Sequence, residues 1–338
     1  MPDPTALIPH AKTGLELARL SLGTAPLGGL YTPVSEQQAE ATLEAAWNHG
    51  LRYFDTAPQY GNGTAERRTG GFLRNKPRDA FVLSTKVGRL LREGLPHRSQ
   101  VDSEGKMYYQ GVPQVMQVYD YSYDGFTRSL EESLARLGLD QVDILYIHDP
   151  DADNRSVNEV MKGGDRALVE LRERGIVRAI GVGMNRADWL STFARAGDFD
   201  LFLLAGRYTL LDQVALRELL PLCEQKGIGV VIGGVYNSGI LADPRPGARY
   251  DYLPANSALL ERALRLKAVC EGHGVPLKAA AIQFALGHPS VVSVLTGVRS
   301  RAELEENLAM FRVDIPGELW SDLKRQGLLP PETPTPGG

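Results

Sequence analysis

Asp55, Tyr60, Lys86 and His148 are the residues of this chain whose types and settings could do chemistry together. Asp55 stands where a short apolar run, Arg52-Tyr53-Phe54-Asp55, gives out before a Pro turn. Tyr60 follows just ahead of Gly61-Asn62-Gly63. Lys86 ends the apolar run of residues 80–86, and His148 ends that of residues 142–148. An isolated buried lysine is costly, and a carboxylate beside it offsets the cost. Asp55 is therefore a natural partner for Lys86. A phenol next to an ammonium ionises more readily than its ordinary value of about 10. On that reading Tyr60 exchanges a proton with a substrate oxygen near neutral pH, and His148 orients the same oxygen. The set contains no covalent nucleophile and no metal-ligand spacing, so the electrons must go to a cofactor, most simply as hydride to a nicotinamide.

Taken singly, each residue has an ordinary explanation. Asp55 could cap a turn, Tyr60 could pack in a loop, Lys86 could reach to solvent, and His148 could be structural. Their shared position at the ends of apolar runs sets them apart.

The elements that must position them follow a rhythm of apolar strands and amphipathic helices. Strands are expected at residues 20–24, 51–55, 80–86, 142–148, 179–183, 201–205, 229–233 and 291–296. Capping boxes at Ser35…Gln38, Ser156…Glu159 and Ser300…Glu303 open helices; Gly50 closes the first, Gly175 the second, and Gly138 and Gly227 close two others. Strands that read as fully buried runs, each followed by a helix, predict one closed (β/α)8 TIM barrel with chemistry at its C-terminal face. The rival, an open doubly wound sheet, would carry a glycine fingerprint after its first strand; Gly181-Val182-Gly183 comes late and lacks the third glycine. Lys12-Thr13-Gly14 predicts the turn of an N-terminal hairpin. Long segments at residues 88–121 and 237–256 fall on the active-site face. Residues 1–329 read as one domain, and the Pro-rich tail 330–338 as compositionally disordered.

Composition narrows the function classes. The net charge of -4 provides no basic stripe for nucleic acid. No apolar run of about 18 residues points to a membrane, and no signal pattern opens the chain, so a cytoplasmic protein is expected. Cys223 and Cys270 read as reduced, buried thiols. No apolar exposed face is marked, which predicts a monomer or a weak homo-oligomer.

The tetrad resembles that of the aldo-keto reductase superfamily. The resemblance rests on Phe54-Asp55-Thr56-Ala57 with Tyr60-Gly61, on Ser84-Thr85-Lys86, and on Asp143-Ile144-Leu145-Tyr146-Ile147-His148. It implies a barrel whose bottom is plugged by the N-terminal hairpin, and NAD or NADP bound at the C-terminal mouth without a Rossmann domain. The stretches Gly183-Met184-Asn185, Leu204 to Leu211 and Gly234 to Leu241 are most similar to the D-threo-aldose 1-dehydrogenase branch, which includes L-fucose, galactose-type and pyridoxal dehydrogenases. That branch implies oxidation of a small sugar such as L-fucose or D-arabinose at C1 to the lactone. The alternatives are an NADPH-dependent aldehyde or ketone reductase and, in another class, a cofactor-sensing regulatory subunit.

The resemblance also assigns the cofactor cradle, with departures. Asn185 is carried over as a carboxamide contact. The family's glutamine on the sixth strand is Ala205 here, and its stacking aromatic aligns with Gly233 or Gly234. Tyr236 is the expected substitute for that ring, and Arg207 and Tyr208 the expected substrate contacts. At the phosphate end stand Gly297, Arg299, Glu303, Glu306 and Asn307. Glu303 would repel a 2′-phosphate and accept a ribose hydroxyl, which favours NAD, whereas Arg299 and Arg301 could serve NADP.

Overall fold

The computed structural model describes residues 1–102 and 105–337. The chain opens with an antiparallel hairpin of β1 (Leu7–His10) and β2 (Leu15–Ala18). It continues through β3 (Leu20–Gly23), α1 (Glu36–Asn48), β4 (Tyr53–Asp55), α2 (Thr64–Leu73) and β5 (Val82–Val87). A second hairpin, β6 (Arg89–Arg92) and β7 (Met116–Tyr119), precedes α3 (Tyr123–Leu137) and β8 (Ile144–His148). Next come α4 (Val157–Val160), α5 (Arg166–Glu173), β9 (Ala179–Met184), α6 (Ala187–Ala196), β10 (Leu201–Ala205), α7 (Leu219–Lys226) and β11 (Gly229–Gly233). A third hairpin, β12 (Arg249–Tyr250) and β13 (Leu253–Pro254), leads into α8 (Ser257–Gly272), α9 (Leu277–Phe284), β14 (Val291–Gly297), α10 (Arg301–Phe311) and α11 (Gly317–Arg325).

The strands β3, β4, β5, β8, β9, β10, β11 and β14 close in that order into a parallel barrel. This is the (β/α)8 architecture expected from the buried apolar runs. Two apolar layers hold it. Inside the barrel Tyr53, Ile144, Tyr146, Leu201, Val231 and Leu295 pack on Leu15 and Leu17 of the N-terminal hairpin. That hairpin buries alternate residues of β2 against the barrel, as the period of a strand requires. Outside, the second faces of the strands meet the helices in one larger core. Ser35, Ser156 and Ser300 cap their helices as the capping boxes predict.

Three local expectations differ. The helix from Ser156 to Gly175 is interrupted by a π turn at Met161–Asp165. Its Gly163-Gly164 pair is a weak helix former, and a Cβ on Gly164 would lie 2.2 Å from the Phe126 ring of α3. The helix through Leu216 and Cys223 splits into a 3-10 turn, Val214–Arg217, and α7. The tail is also packed rather than free of contacts: Thr333 is fully buried, and Thr335 and Pro336 lie against Gly287, where a side chain would collide. A glycine opposite them makes room that composition does not reveal. Among the described residues, no helix is long and apolar enough to cross a membrane. Cys223 and Cys270 are free and buried.

Candidate active site

Barrel closure brings the expected tetrad together. Asp55 ends β4, Lys86 lies near the end of β5, His148 ends β8, and Tyr60 sits in the turn before α2. Lys86 Nζ donates to Asp55 Oδ1 and Oδ2 at 2.9 and 2.7 Å and to the Thr56 carbonyl at 2.9 Å. Both partners are only 1% exposed. The ammonium lies 4.6 Å from the Tyr60 ring centroid, and the Tyr60 and His148 rings meet edge to face at 5.8 Å. The Tyr60 turn is seated by two glycines. Gly61 has φ 61°, and a Cβ there would come within 2.3 Å of the Gly28 carbonyl oxygen. Only glycine permits both this backbone and this approach.

A polar chain continues from Asp55 among the apolar residues of the barrel interior. Ser84 donates to Asp55 Oδ1 at 2.7 Å. Its one proton is thereby committed, so the Tyr53 hydroxyl, 3.2 Å from Ser84 Oγ, must donate to Ser84. Tyr53 then accepts from Tyr146 at 3.3 Å. Each buried hydroxyl thus finds a partner, and the chain of donors runs toward the carboxylate.

The tetrad opens into a cavity of about 340 Å³. Its far walls come from the two long segments. Tyr108 and Tyr109 belong to the loop of the β6/β7 hairpin, and Tyr252 to the turn of the β12/β13 hairpin. Asp251 and Tyr252 at that turn both have positive φ, 52° and 68°, as a two-residue hairpin turn demands. Tyr252 contacts the rings of Tyr31 and Tyr108 at 6.4 and 6.2 Å, so loops from different strands meet over the mouth.

Burial, then the negative charges of Asp55 and Asp149, hold the Tyr60 phenol well above its ordinary value, although Arg89 pulls it down. This reverses the direction expected from Lys86 alone. Burial of the ring is the main reason, and the Lys86 charge beside it is paired with Asp55 at contact distance. Burial, with the positive charges of Arg89 and Lys86, pushes His148 well below its usual value, so the ring is neutral. His148 Nδ1 is buried without a hydrogen-bond partner among the described residues. The tautomer carrying its proton on Nε2 leaves only a lone pair unmatched and gives a donor for a substrate oxygen.

The expected cofactor residues fall into separate groups. Asn185 lines the cavity beside Met184 and Ala205, and its amide lies 3.5 Å from Asp251 Oδ1. That floor of small and flexible side chains, with an amide at its edge, fits a nicotinamide. Gly234, with φ 63°, lies against the backbone of Gly206. Tyr236, the expected stacking ring, is not among the residues that line this cavity. Its hydroxyl donates to Asn307 Oδ1 at 3.0 Å, and Lys278 sits over its ring at 5.4 Å while pairing with Glu306 at 2.6 Å. Gly297 is the exposed end of β14, where a Cβ would meet Pro26 at 2.8 Å.

Glu303 is already held by Arg299. It accepts from the Arg299 backbone at 2.8 Å and from the guanidinium at 2.9 and 2.5 Å. Burial would raise its carboxyl, yet these bonds win and hold it below the usual range. Arg301 is likewise paired with Glu305 at 2.7 Å. An i,i+4 helical spacing puts each pair within reach, which is why neither charge stands alone.

The two expected substrate residues, Arg207 and Tyr208, are not among those lining the cavity. Tyr208 is fully buried against Phe284 and His288, on the helix side of the barrel. Arg207 pairs with Asp251 at 2.5 Å and so anchors the turn that carries Tyr252. The reading from sequence missed Arg89 and Asp149. Asp149 directly follows His148, and that adjacency was the available signal; Arg89 stood in a segment without periodicity.

With this geometry in view, the comparisons agree with one another. A family model described as the aldo/keto reductase family matches residues 19–326. Pyridoxal 4-dehydrogenase of Microbacterium luteolum is 45% identical, with 94% of this chain and 96% of that protein covered. D-threo-aldose 1-dehydrogenase of a Pseudomonas species is 42% identical over 95% of this chain and 97% of its own length. The solved structure of an aldo-keto reductase from Bacillus halodurans superposes with a TM-score of 0.73 at 22% identity, covering 96% of both chains, and supports the fold. A closed barrel, an Asp-Tyr-Lys-His cluster at its mouth and a family match spanning nearly the whole length identify this chain as a member of the aldo/keto reductase family.

Proposed function

We propose that this oxidoreductase oxidises the C1 hydroxyl of a cyclic aldose to the lactone. The observation that carries the reading is the tetrad at the mouth of a cavity whose wall holds Asp149 and Asp151, and where, among the described residues, the one Lys or Arg in the lining, Lys86, is already paired with Asp55. Such a wall suits a neutral, hydroxyl-rich substrate. The nicotinamide of the family supplies the hydride acceptor when bound. Tyr60 takes the hydroxyl proton, His148 Nε2 orients the same oxygen, and Lys86, fixed by Asp55, steadies the charge that Tyr60 gains.

The 42% identity to an aldose dehydrogenase supports the sugar reading. A second reading, oxidation of pyridoxal, is favoured by the 45% identity to a pyridoxal dehydrogenase and by Tyr108, Tyr109 and Tyr252, whose rings could flank an aromatic ligand. Both substrates close into cyclic hemiacetals, so the same relay serves either. For the cofactor, NAD is preferred over NADP because Arg299 and Arg301, the cations beside the start of α10, are both engaged by glutamates.

The deciding experiment follows NADH and NADPH formation against aldoses, polyols and pyridoxal. Lactone formation from an aldose with NAD supports the reading. Turnover confined to NADPH-dependent reduction of aldehydes would replace it with a reductase.

A further inference from the structure

Asp149 is a carboxylate at the cavity wall that the tetrad does not use. Its backbone stands at φ 38° and ψ 61°, a left-handed conformation that strains a residue with a side chain. The surroundings hold it there. Its N–H donates to the Gly183 carbonyl at 3.1 Å, and the Tyr121 hydroxyl lies 3.4 Å from its carbonyl oxygen. Arg89 Nη2 donates to Oδ2 at 2.7 Å.

Arg89 is itself only 1% exposed. Its guanidinium lies 5.1 Å from the Tyr119 ring centroid and 3.3 Å from Gln117 Oε1. The acid differs: 30% of its side chain stays accessible, and Oδ1 receives no hydrogen bond among the described residues. A pair serving stability alone could bury both charges. This one leaves an acceptor at the cavity wall, on a backbone strained to put it there.

The Asp149 carboxylate lies beside His148, with its Arg89-bonded Oδ2 3.4 Å from His148 Nε2 and Oδ1 left as the open acceptor. That separation is comparable to the distance between oxygens on neighbouring carbons. A substrate oxygen bonded to Nε2 therefore brings the hydroxyl of the next carbon within reach of the carboxylate. We infer that Asp149, held in place by Arg89, is a specificity residue that accepts the hydroxyl on the carbon adjacent to the one oxidised. The favoured ligand class is a neutral cyclic hemiacetal with a hydroxyl beside the reacting carbon. This inference rests on the aldose reading above.

The test compares D-arabinose with 2-deoxy-D-ribose, its 2-deoxy counterpart, for the wild type and for Asp149→Asn. A hydrogen bond to a charged acceptor predicts a wild-type preference in kcat/KM of roughly 10- to 100-fold for D-arabinose, falling below about threefold in the variant. Asp149→Asn leaves Arg89 buried without its partner, so the double variant Arg89→Met with Asp149→Asn is measured as well, with thermal melting to confirm folding. Arg89→Met alone should raise KM for D-arabinose far more than for 2-deoxy-D-ribose. A wild type without the preference, or folded variants that keep it, overturns the inference while leaving the aldose reading standing. A wild type that oxidises neither these sugars nor any other aldose overturns the reading itself.

Discussion

Ser84 donates to Asp55 Oδ1 over 2.7 Å while Lys86 holds both oxygens of the same carboxylate. Asp55 is thus surrounded by donors in a site that is almost fully buried. Ser84→Ala removes one donor and leaves the Tyr53 hydroxyl without an acceptor. Chemical unfolding should show a loss of about 1–3 kcal/mol, with a fall in kcat as Lys86 loses its fixed partner. Unchanged stability would mean that the buried chain from Tyr146 to Asp55 contributes nothing.

Tyr60→Phe tests the proton relay directly. The ring stays packed against His148, and only the hydroxyl is lost. We expect kcat to fall roughly 10²- to 10⁴-fold, with cofactor affinity by fluorescence titration nearly unchanged. A fully active variant would sink the assignment.

The raised Tyr60 pKa sets a sign for pH dependence. Oxidation needs the phenol without its proton, so its rate should climb through the alkaline range. Reduction needs the protonated phenol, which persists there. The ratio of oxidative to reductive kcat should therefore increase with pH, and a ratio that falls would contradict Tyr60 as the proton carrier. Linkage follows the same direction. A folded-state pKa above the unfolded value keeps its stabilisation below about 10 and loses it as pH rises further. Tyr146 shares the upward shift through burial, so melting temperature should decline above that point.

Glu303→Gln probes cofactor choice. The neutral side chain loosens its hold on Arg299, which then becomes available to a 2′-phosphate. KM for NADP should drop by several-fold while KM for NAD changes little, read from initial rates with each cofactor. If the wild type already binds NADP far better than NAD, the pairing of Arg299 with Glu303 does not govern the preference.

The alternation of buried strands with capped helices was enough to predict the barrel. Each buried run and each serine cap is a local signal that needs no distant partner to be recognised. The tetrad was legible for a related reason. In a parallel barrel all strand C-termini face one mouth, so Asp55, Lys86 and His148 converge once closure is assumed. What remained hidden depended on which neighbour each charge selects. Glu303 reads as a free acid until Arg299 is seen wrapped onto it, and Arg207 reads as a substrate contact until Asp251 is placed beside it. Tyr208 follows an apolar strand and could face either way; tertiary packing turned it to Phe284. The Arg89–Asp149 pair joins side chains 60 residues apart across two strand ends. Residue types determined the chemistry available to this chain, and folding decided which of those groups were neutralised and which were left facing the cavity, because pairing depends on distances that only the closed barrel defines.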